Sequence, residues 1–211
     1  DVNAIGAGGG SIAWIDSAGG LKVGPHSAGS EPGPACYGRG GVEPTVTDAS
    51  LALGLISPHF FAGGRLKLDI EKSREIISEK IARPLSISLE EASLGIHKVL
   101  NAQMSEGIRF VSIKQGFDPR NFVLLGLGGG GPLHAVELAK ELSIRKVLVP
   151  RHPGVLSASG LLVAPVEHEA SCSFGKELNE VCLEGIQKAF RELSLQTNEL
   201  MNREAIAPKD I

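Results

Sequence analysis

The chain has 211 residues, 42% of them hydrophobic, which is enough for one large packed domain or for a domain and part of another. A formal net charge of −3 without a basic stripe excludes a nucleic-acid footprint and a basic membrane-surface helix, and an aromatic content of 4% excludes a base-stacking platform. The three cysteines, Cys36, Cys172 and Cys182, make neither a zinc spacing nor a disulfide framework, so a reducing, cytoplasmic setting is expected.

The chain opens on Asp1 with a strand-like run directly ahead of a glycine loop, as a piece of a longer polypeptide would. No signal-peptide pattern opens it, and no apolar run reaches membrane-spanning length. In "SIAWIDSAGGLKVGP" two strands flank a turn at Ser17–Gly20. Residues 27–41, "SAGSEPGPACYGRGG", then forbid regular structure and predict a long shaped loop.

Thr47 and Asp48 precede a short helix over "ASLALGLI". Asp69 caps "IEKSREIISEKIA", with Ile70, Ile76, Ile77 and Ile81 on one face and Pro84 as its end. Ser88 and Glu91 form a capping box that opens the longest helix, 89–114. Its stripe is Ile96, Val99, Leu100, Met104, Ile108 and Val111.

"NFVLLGL" (121–127) and "RKVLVP" (145–150) are apolar without alternation, as strands buried on both faces are. Between them lie a glycine tract and the helix "PLHAVELAKELS". The small-residue stretch "VLSASGLLVAPV" predicts another helix, and 176–204 an amphipathic one. Strand, glycine loop, helix, strand and helix in this order indicate an α/β fold.

Two glycine loops stand out, Gly6-Ala7-Gly8-Gly9-Gly10-Ser11 and Gly126 to Gly131. Glycines between a strand and a helix let the backbone approach a ligand, and they also serve plain tight packing. The second loop contains G-x-G-x-x-G at 126, 128 and 131, but no acidic residue closes the following strand, which weakens a dinucleotide reading. Neither loop ends in Gly-Lys-Ser/Thr, so neither is a Walker A.

Five stretches, "IGAGGGSIAWID", "VGPHSAGSEPGPACYGRGG", "EPTVTDASLALG", "FDPRNFVLLGLGGGGPLHA" and "VLVPRHPGVLSASGLLVAPVEHE", together resemble the hydantoinase A / 5-oxoprolinase family over residues 1–170. That family includes ATP-dependent N-methylhydantoinases and a subunit of acetone-type carboxylases. The resemblance implies the second half of an actin/sugar kinase/Hsp70-like ATPase core over 1–166, a mixed sheet with flanking helices. A partial C-terminal segment over 167–211 follows. It makes Gly128, Gly129, Gly130 and Gly131 the adenosine-side turn and helix 89–114 the connector between two halves.

The implied chemistry is ATP-coupled opening of a cyclic amide such as a hydantoin or 5-oxoproline. The carbonyl or imidate oxygen of the lactam-like ring is phosphorylated, creating a leaving group, and water then cleaves the C–N bond. The implied partners are a hydantoinase B-type subunit or domain and further copies in an oligomer. A ketone-carboxylase subunit is the alternative, and a non-catalytic fragment that needs its missing half is the third. The family's Asp-x-Gly-Gly-Thr-x-Thr-Asp phosphate hairpins do not occur in this chain, so the resemblance assigns Mg²⁺ ligands and most triphosphate contacts to an upstream part. The sequence also departs from the family's usual pattern at Asn3 for His, Leu127 for an aromatic and Gly130 for Ala.

Gly8, Gly9, Gly10 and Ser11 either line the cleft or make a tight turn. His134 either faces the nucleotide or packs. Asp48 is an N-cap or a general base, and Glu43 shares that ambiguity. Arg39 either grips a carboxylate or phosphate of the substrate or pairs with Glu31 or Glu43. Cys36 reads as a structural thiol, and His26 and His59 have no metal spacing.

Overall fold

The computed structural model describes residues 3–175 and 182–204. The chain divides into two compact units, Asp1–Leu156 and Ser157–Ile211. No helix among the described residues is long and apolar enough to cross a membrane.

The first unit begins with an antiparallel hairpin, β1 (Ser11–Ile15) and β2 (Leu21–Ser27), in the register Ile15↔Leu21 and Ala13↔Val23. Its turn is tied by Asp16, whose Oδ1 accepts from the N–H groups of Ala18 and Gly20 at 3.0 and 2.7 Å. The face turned to the core carries Ser11, Ala13 and Val23. Trp14 stays half-exposed and donates Nε1–H to the Gly24 carbonyl.

Helix α1 (Val46–Ala52) starts earlier than the sequence predicts, because Thr45 is the N-cap. Asp48 lies inside the first turn and completes a capping box with Thr45. Asp69 caps α2 (Ile70–Ile77) as expected. The helical path does not stop at Pro84. A π-turn at Ser78–Ala82 leads into the short α3 (Arg83–Leu85), which carries Pro84 in its first turn, where a missing N–H is tolerated. Ile77 and Ile81 are fully buried.

Helix α4 (Leu89–Ile113) opens at the predicted capping box, with the Glu91 N–H 3.1 Å from Ser88 Oγ. Its apolar stripe joins two clusters. Ile96 and Leu100, with Val99 and Met104 beside them, pack with Ala13, Val23, Val46 and Ile77. Ile108 instead packs against Ala139, Leu142 and Ile144.

The second glycine tract lies between β3 (Leu124–Leu125) and α5 (Gly131–Glu141), and β3 pairs in parallel with β4 (Val147–Leu148). The expectation of long strands buried on both faces does not hold. Leu124 and Val147 pack onto the α4–α5 side, while Leu125 and Leu148 are exposed at 42% and 55%. Side chains alternate across a strand, and this pair has helices on one face only. Nor is there one mixed sheet: the described residues hold an antiparallel and a parallel pair, each two-stranded. The architecture is α/β all the same.

The boundary between units falls in α6 (Leu156–Leu161), which is shorter than its sequence suggests. Pro165 disfavours helical geometry at Ala164 and closes off the longer helix. In the second unit, α7 (Leu183–Arg203) is capped by Cys182, whose Sγ accepts from the Gly185 N–H. The start of the expected 176–204 helix, residues 176–181, lies outside the described residues.

Candidate functional site

The second glycine loop leaves the carboxyl end of β3 beside the carboxyl end of β4, which is where open α/β sheets bind ligands. Its strand side is fixed by two bonds, Gly126 N–H to the Leu148 carbonyl at 2.9 Å and Gly128 N–H to the Pro153 carbonyl at 2.8 Å. Gly128 has φ +79°, a conformation that excludes most side chains. A Cβ at Gly128, Gly129 or Gly130 would meet no protein atom within 4 Å, and one at Gly131 only a backbone carbon at 3.8 Å. Packing therefore does not account for this run. Pro132 occupies the first turn of α5, where its absent N–H costs nothing.

The first loop is built differently. A Cβ at Gly9 would lie 2.7 Å from Thr47 Oγ1, and one at Gly10 would lie 2.8 Å from Ser27 Oγ. The Gly9 carbonyl accepts from both Thr47 N–H and Thr47 Oγ1, at 2.8 and 2.9 Å. Ser11 is buried, and its Oγ accepts from Gly8 N–H. Gly6 and Gly8 have open space around them, beside a shallow groove of about 490 Å³ that Asn3, Ile5 and Pro25 also line. Gly9, Gly10 and Ser11 thus make a tight turn that joins β1 to α1.

Asp48 is fully buried, and its carboxylate is filled with donors. Oδ1 accepts from Cys36 N–H at 2.8 Å and Ser73 Oγ at 2.9 Å. Oδ2 accepts from Ala35 N–H, Thr45 N–H and Thr45 Oγ1 at 3.2, 3.0 and 2.7 Å. No lone pair is left to activate a water, so the general-base expectation for Asp48 gives way to an anchoring role. It fastens the 27–41 loop to α1 and α2. The same burial, with the Asp48 charge beside it, pushes the Cys36 thiol well above its ordinary range, so Cys36 is no thiolate nucleophile.

Glu43 is half-exposed and pairs with Lys80 Nζ at 2.6 Å. Arg39 is exposed on the anchored loop, with its guanidinium 6.0 Å from the Tyr37 ring centre. Among the described residues neither Glu31 nor Glu43 forms an ion pair with it, and Glu43 is taken by Lys80. The described residues contain no group of three or more His, Cys, Asp or Glu side chains that could hold a metal ion. An apolar groove of about 550 Å³ is lined by Ile5, Met104, Ile108, Phe117, Phe122 and Leu124, and no glycine of either run lines it.

His134 is 6% exposed, so it faces the interior rather than a ligand. Its Nδ1 lies 2.8 Å from Asn101 Oδ1, and its ring stacks on His97 with centres 5.1 Å apart and planes at 28°. His97 Nε2 in turn lies 3.0 Å from Ser50 Oγ on α1. Burial, with His134 adding to it, pushes the His97 imidazole down to about 4, and burial lowers His134 as well. Sequence reasoning missed His97, Asn101 and Ser50. The signal was present: Ser93, His97, Asn101 and Ser105 recur every four residues along α4, and all four are buried.

The chain as a whole is similar to known proteins. The Hydantoinase/oxoprolinase family model matches residues 1–170. Caprolactamase subunit alpha from Pseudomonas jessenii is 44% identical over 194 residues, covering 91% of this chain and 28% of the relative. The crystal structure of ATP-dependent caprolactamase from the same organism aligns with a TM-score of 0.71 at 41% identity, over 92% of this chain and 28% of that one. A nucleotide-free acetone carboxylase structure, from work on ATP-dependent acetone carboxylation, aligns with a TM-score of 0.77 at 30% identity, over 93% and 29%. The chain thus spans under a third of the length of these relatives. Sequence motifs, local geometry and a family match over residues 1–170 agree, and the chain belongs to the hydantoinase/oxoprolinase family.

Proposed function

We propose that this chain is the adenosine-side part of an ATP-dependent cyclic-amide hydrolase, and that the loop from Gly126 to Gly131 seats the nucleotide. The observation that carries this reading is the open stretch Gly128 to Gly131 beyond β3: at Gly126 a Cβ would press on the Ala135 methyl at 3.1 Å, but no close protein atom explains the missing side chains from 128 to 131. The ATP dependence of the caprolactamase relative supports it. The fold is read as the second half of an actin/sugar kinase/Hsp70-like ATPase core, with the exposed faces of β3 and β4 covered by the rest of a longer protein.

When bound, the nucleotide supplies a phosphoryl group that turns a lactam-like carbonyl oxygen into a leaving group. This chain's share is positioning. Gly128, Gly129 and Gly131 keep side-chain bulk away from the nucleotide, Gly130 lends backbone at a position where the resemblance puts alanine, and Gly8 contributes an open stretch of backbone. Arg39 offers a planar fork to a substrate carboxylate, phosphate or ring carbonyl. Glu43, held by Lys80 at 2.6 Å, is the carboxylate read for proton transfer. Mg²⁺ is assigned to an upstream part of the protein, where the family resemblance puts the Asp-x-Gly-Gly-Thr-x-Thr-Asp hairpins that this chain does not carry. A hydantoinase B-type partner, an oligomeric assembly and a cytoplasmic setting complete the reading.

The alignment with acetone carboxylase favours a second reading, a ketone-carboxylase subunit with the same nucleotide seat and a different acceptor. Phosphate release by the full-length protein tests both. Stimulation by 5-oxoproline, a hydantoin or caprolactam supports the hydrolase. Stimulation only by acetone with bicarbonate supports the carboxylase, and no response to any of them overturns both.

A further inference from the structure

We propose that Ser50, His97, Asn101 and His134 form a positioning device that sets the second glycine loop at a fixed place relative to the first. The inference rests on the nucleotide reading of that loop, but its structural part can be tested without nucleotide.

The connection runs through four elements. The Gly9 carbonyl is held by Thr47 at the start of α1. One turn further, Ser50 Oγ meets His97 on α4 at 3.0 Å. The His97 ring stacks on His134 in the first turns of α5, and Asn101 holds the His134 Nδ1. Helix α5 begins at Gly131, the last residue of the second loop. Two loops more than a hundred residues apart in sequence are joined by side chains that are all buried.

The proton inventory makes the device directional. Ser50 has one hydroxyl proton, which it donates to the Val46 carbonyl at 2.8 Å. His97 must therefore donate from Nε2–H to the Ser50 oxygen. Asn101 Oδ1 is an acceptor, so His134 donates from Nδ1–H. Both rings are neutral in this arrangement, and burial opposes charging either one. An apolar pair of equal volume would fill the space without fixing the rotation of α5 on α4.

The loop needs such a tie on its helix side. The N-cap of α5 is Gly130, and no side chain caps it. The bonds of Gly126 and Gly128 fix only the strand side. His134, three residues beyond the loop, supplies a hydrogen bond from the start of α5 to α4. The four residues are positioning residues: they act on the nucleotide through the loop rather than by touching it.

The test uses the full-length protein with three variants. His134→Phe keeps a stacked ring and removes the donor. His134→Phe with Asn101→Leu also removes the stranded acceptor and recovers stability. His134→Asn keeps a donor near the Nδ1 position. Positioning predicts that both Phe variants raise KM for ATP about tenfold, with kcat changed much less, and that His134→Asn stays within about threefold of wild type. In nucleotide-free protein, amide hydrogen exchange across residues 128–133 should be faster in both Phe variants. If KM recovers along with stability in the double variant, or exchange at 128–133 is unchanged, the device is only packing and the proposal falls. If the wild type binds no ATP while exchange responds as expected, the nucleotide reading falls and the positioning survives.

Discussion

A Cβ added to Gly9 would lie 2.7 Å from Thr47 Oγ1, whereas one added to Gly129 would meet nothing within 4 Å. The two runs have nearly the same composition and both border secondary structure. In the first, the glycines at 9 and 10 let the backbone press against Thr47 and Ser27, and Ser11 closes the turn on itself. In the second, the backbone is fixed at its ends and bare in the middle. A glycine run is thus no evidence of ligand binding by itself; what lies where the Cβ would be separates the two uses.

The comparison breaks most severely if the scaffold around the first loop is really a catalytic centre. Asp48 decides this. Asp48→Ala would strand the N–H groups of Ala35, Cys36 and Thr45 and the hydroxyls of Thr45 and Ser73 in the interior. The expected loss is about 4 kcal/mol or more, read by chemical denaturation. Asp48→Asn should also be destabilised, since its amide would point a donor at donors. An Asp48→Asn protein of wild-type stability and abolished turnover would restore the general base.

Acid should loosen the link between the loops next. His97 is held near 4 in the folded protein against about 6.5 when unfolded. Between those values the unfolded chain binds a proton that the folded chain refuses, so stability is full above about pH 6.5 and falls as the pH drops toward 4. His134, lowered in the same direction, adds to the loss. The effect of His97 is on the order of 3 kcal/mol, and His97→Phe should remove its share of the pH dependence. An unfolding midpoint flat between pH 7 and 4.5 would contradict it.

Much of this was legible in the sequence. The hairpin, the Asp69 cap, the Ser88–Glu91 capping box and the extent of α4 follow from local rules that act within a few residues. The second loop's place between strand and helix was equally readable. The role of Asp48 was not, because three of its five donors come from Ala35, Cys36 and Ser73, far away in sequence. His97 escaped notice because the apolar stripe of α4 is the louder pattern, and the polar stripe at four-residue spacing reads as a solvated face until α1 and α5 cover it. The length of β3 and β4 was misjudged for the same reason. Apolar runs predict burial, but which neighbours bury them is not written in the runs.

Gly9→Ala probes the first loop directly. The new methyl must displace Thr47 Oγ1 and weaken its bond to the Gly9 carbonyl, at an expected cost of about 1–3 kcal/mol. Adding Thr47→Ala should return part of it by clearing the space. A Gly9→Ala protein as stable as wild type would mean that the first loop is as open as the second.

The smallest effects on stability, and the sharpest on function, belong to the second loop. Gly129→Ala meets no protein atom, so its unfolding midpoint should shift by no more than about 0.5 kcal/mol. If the space serves a nucleotide, its KM for ATP should rise about tenfold, a difference of about 1.4 kcal/mol in binding. Gly130→Ala supplies the control. Gly130 has φ −95°, which alanine adopts freely, and the family resemblance puts alanine at this position. It should change neither stability nor KM by more than about twofold, roughly 0.4 kcal/mol. Equal KM effects at 129 and 130 would mean that the loop senses any added methyl and not one particular face. The nucleotide would then lie across the whole run, and the resemblance at Gly130 would no longer carry the family's geometry to this chain.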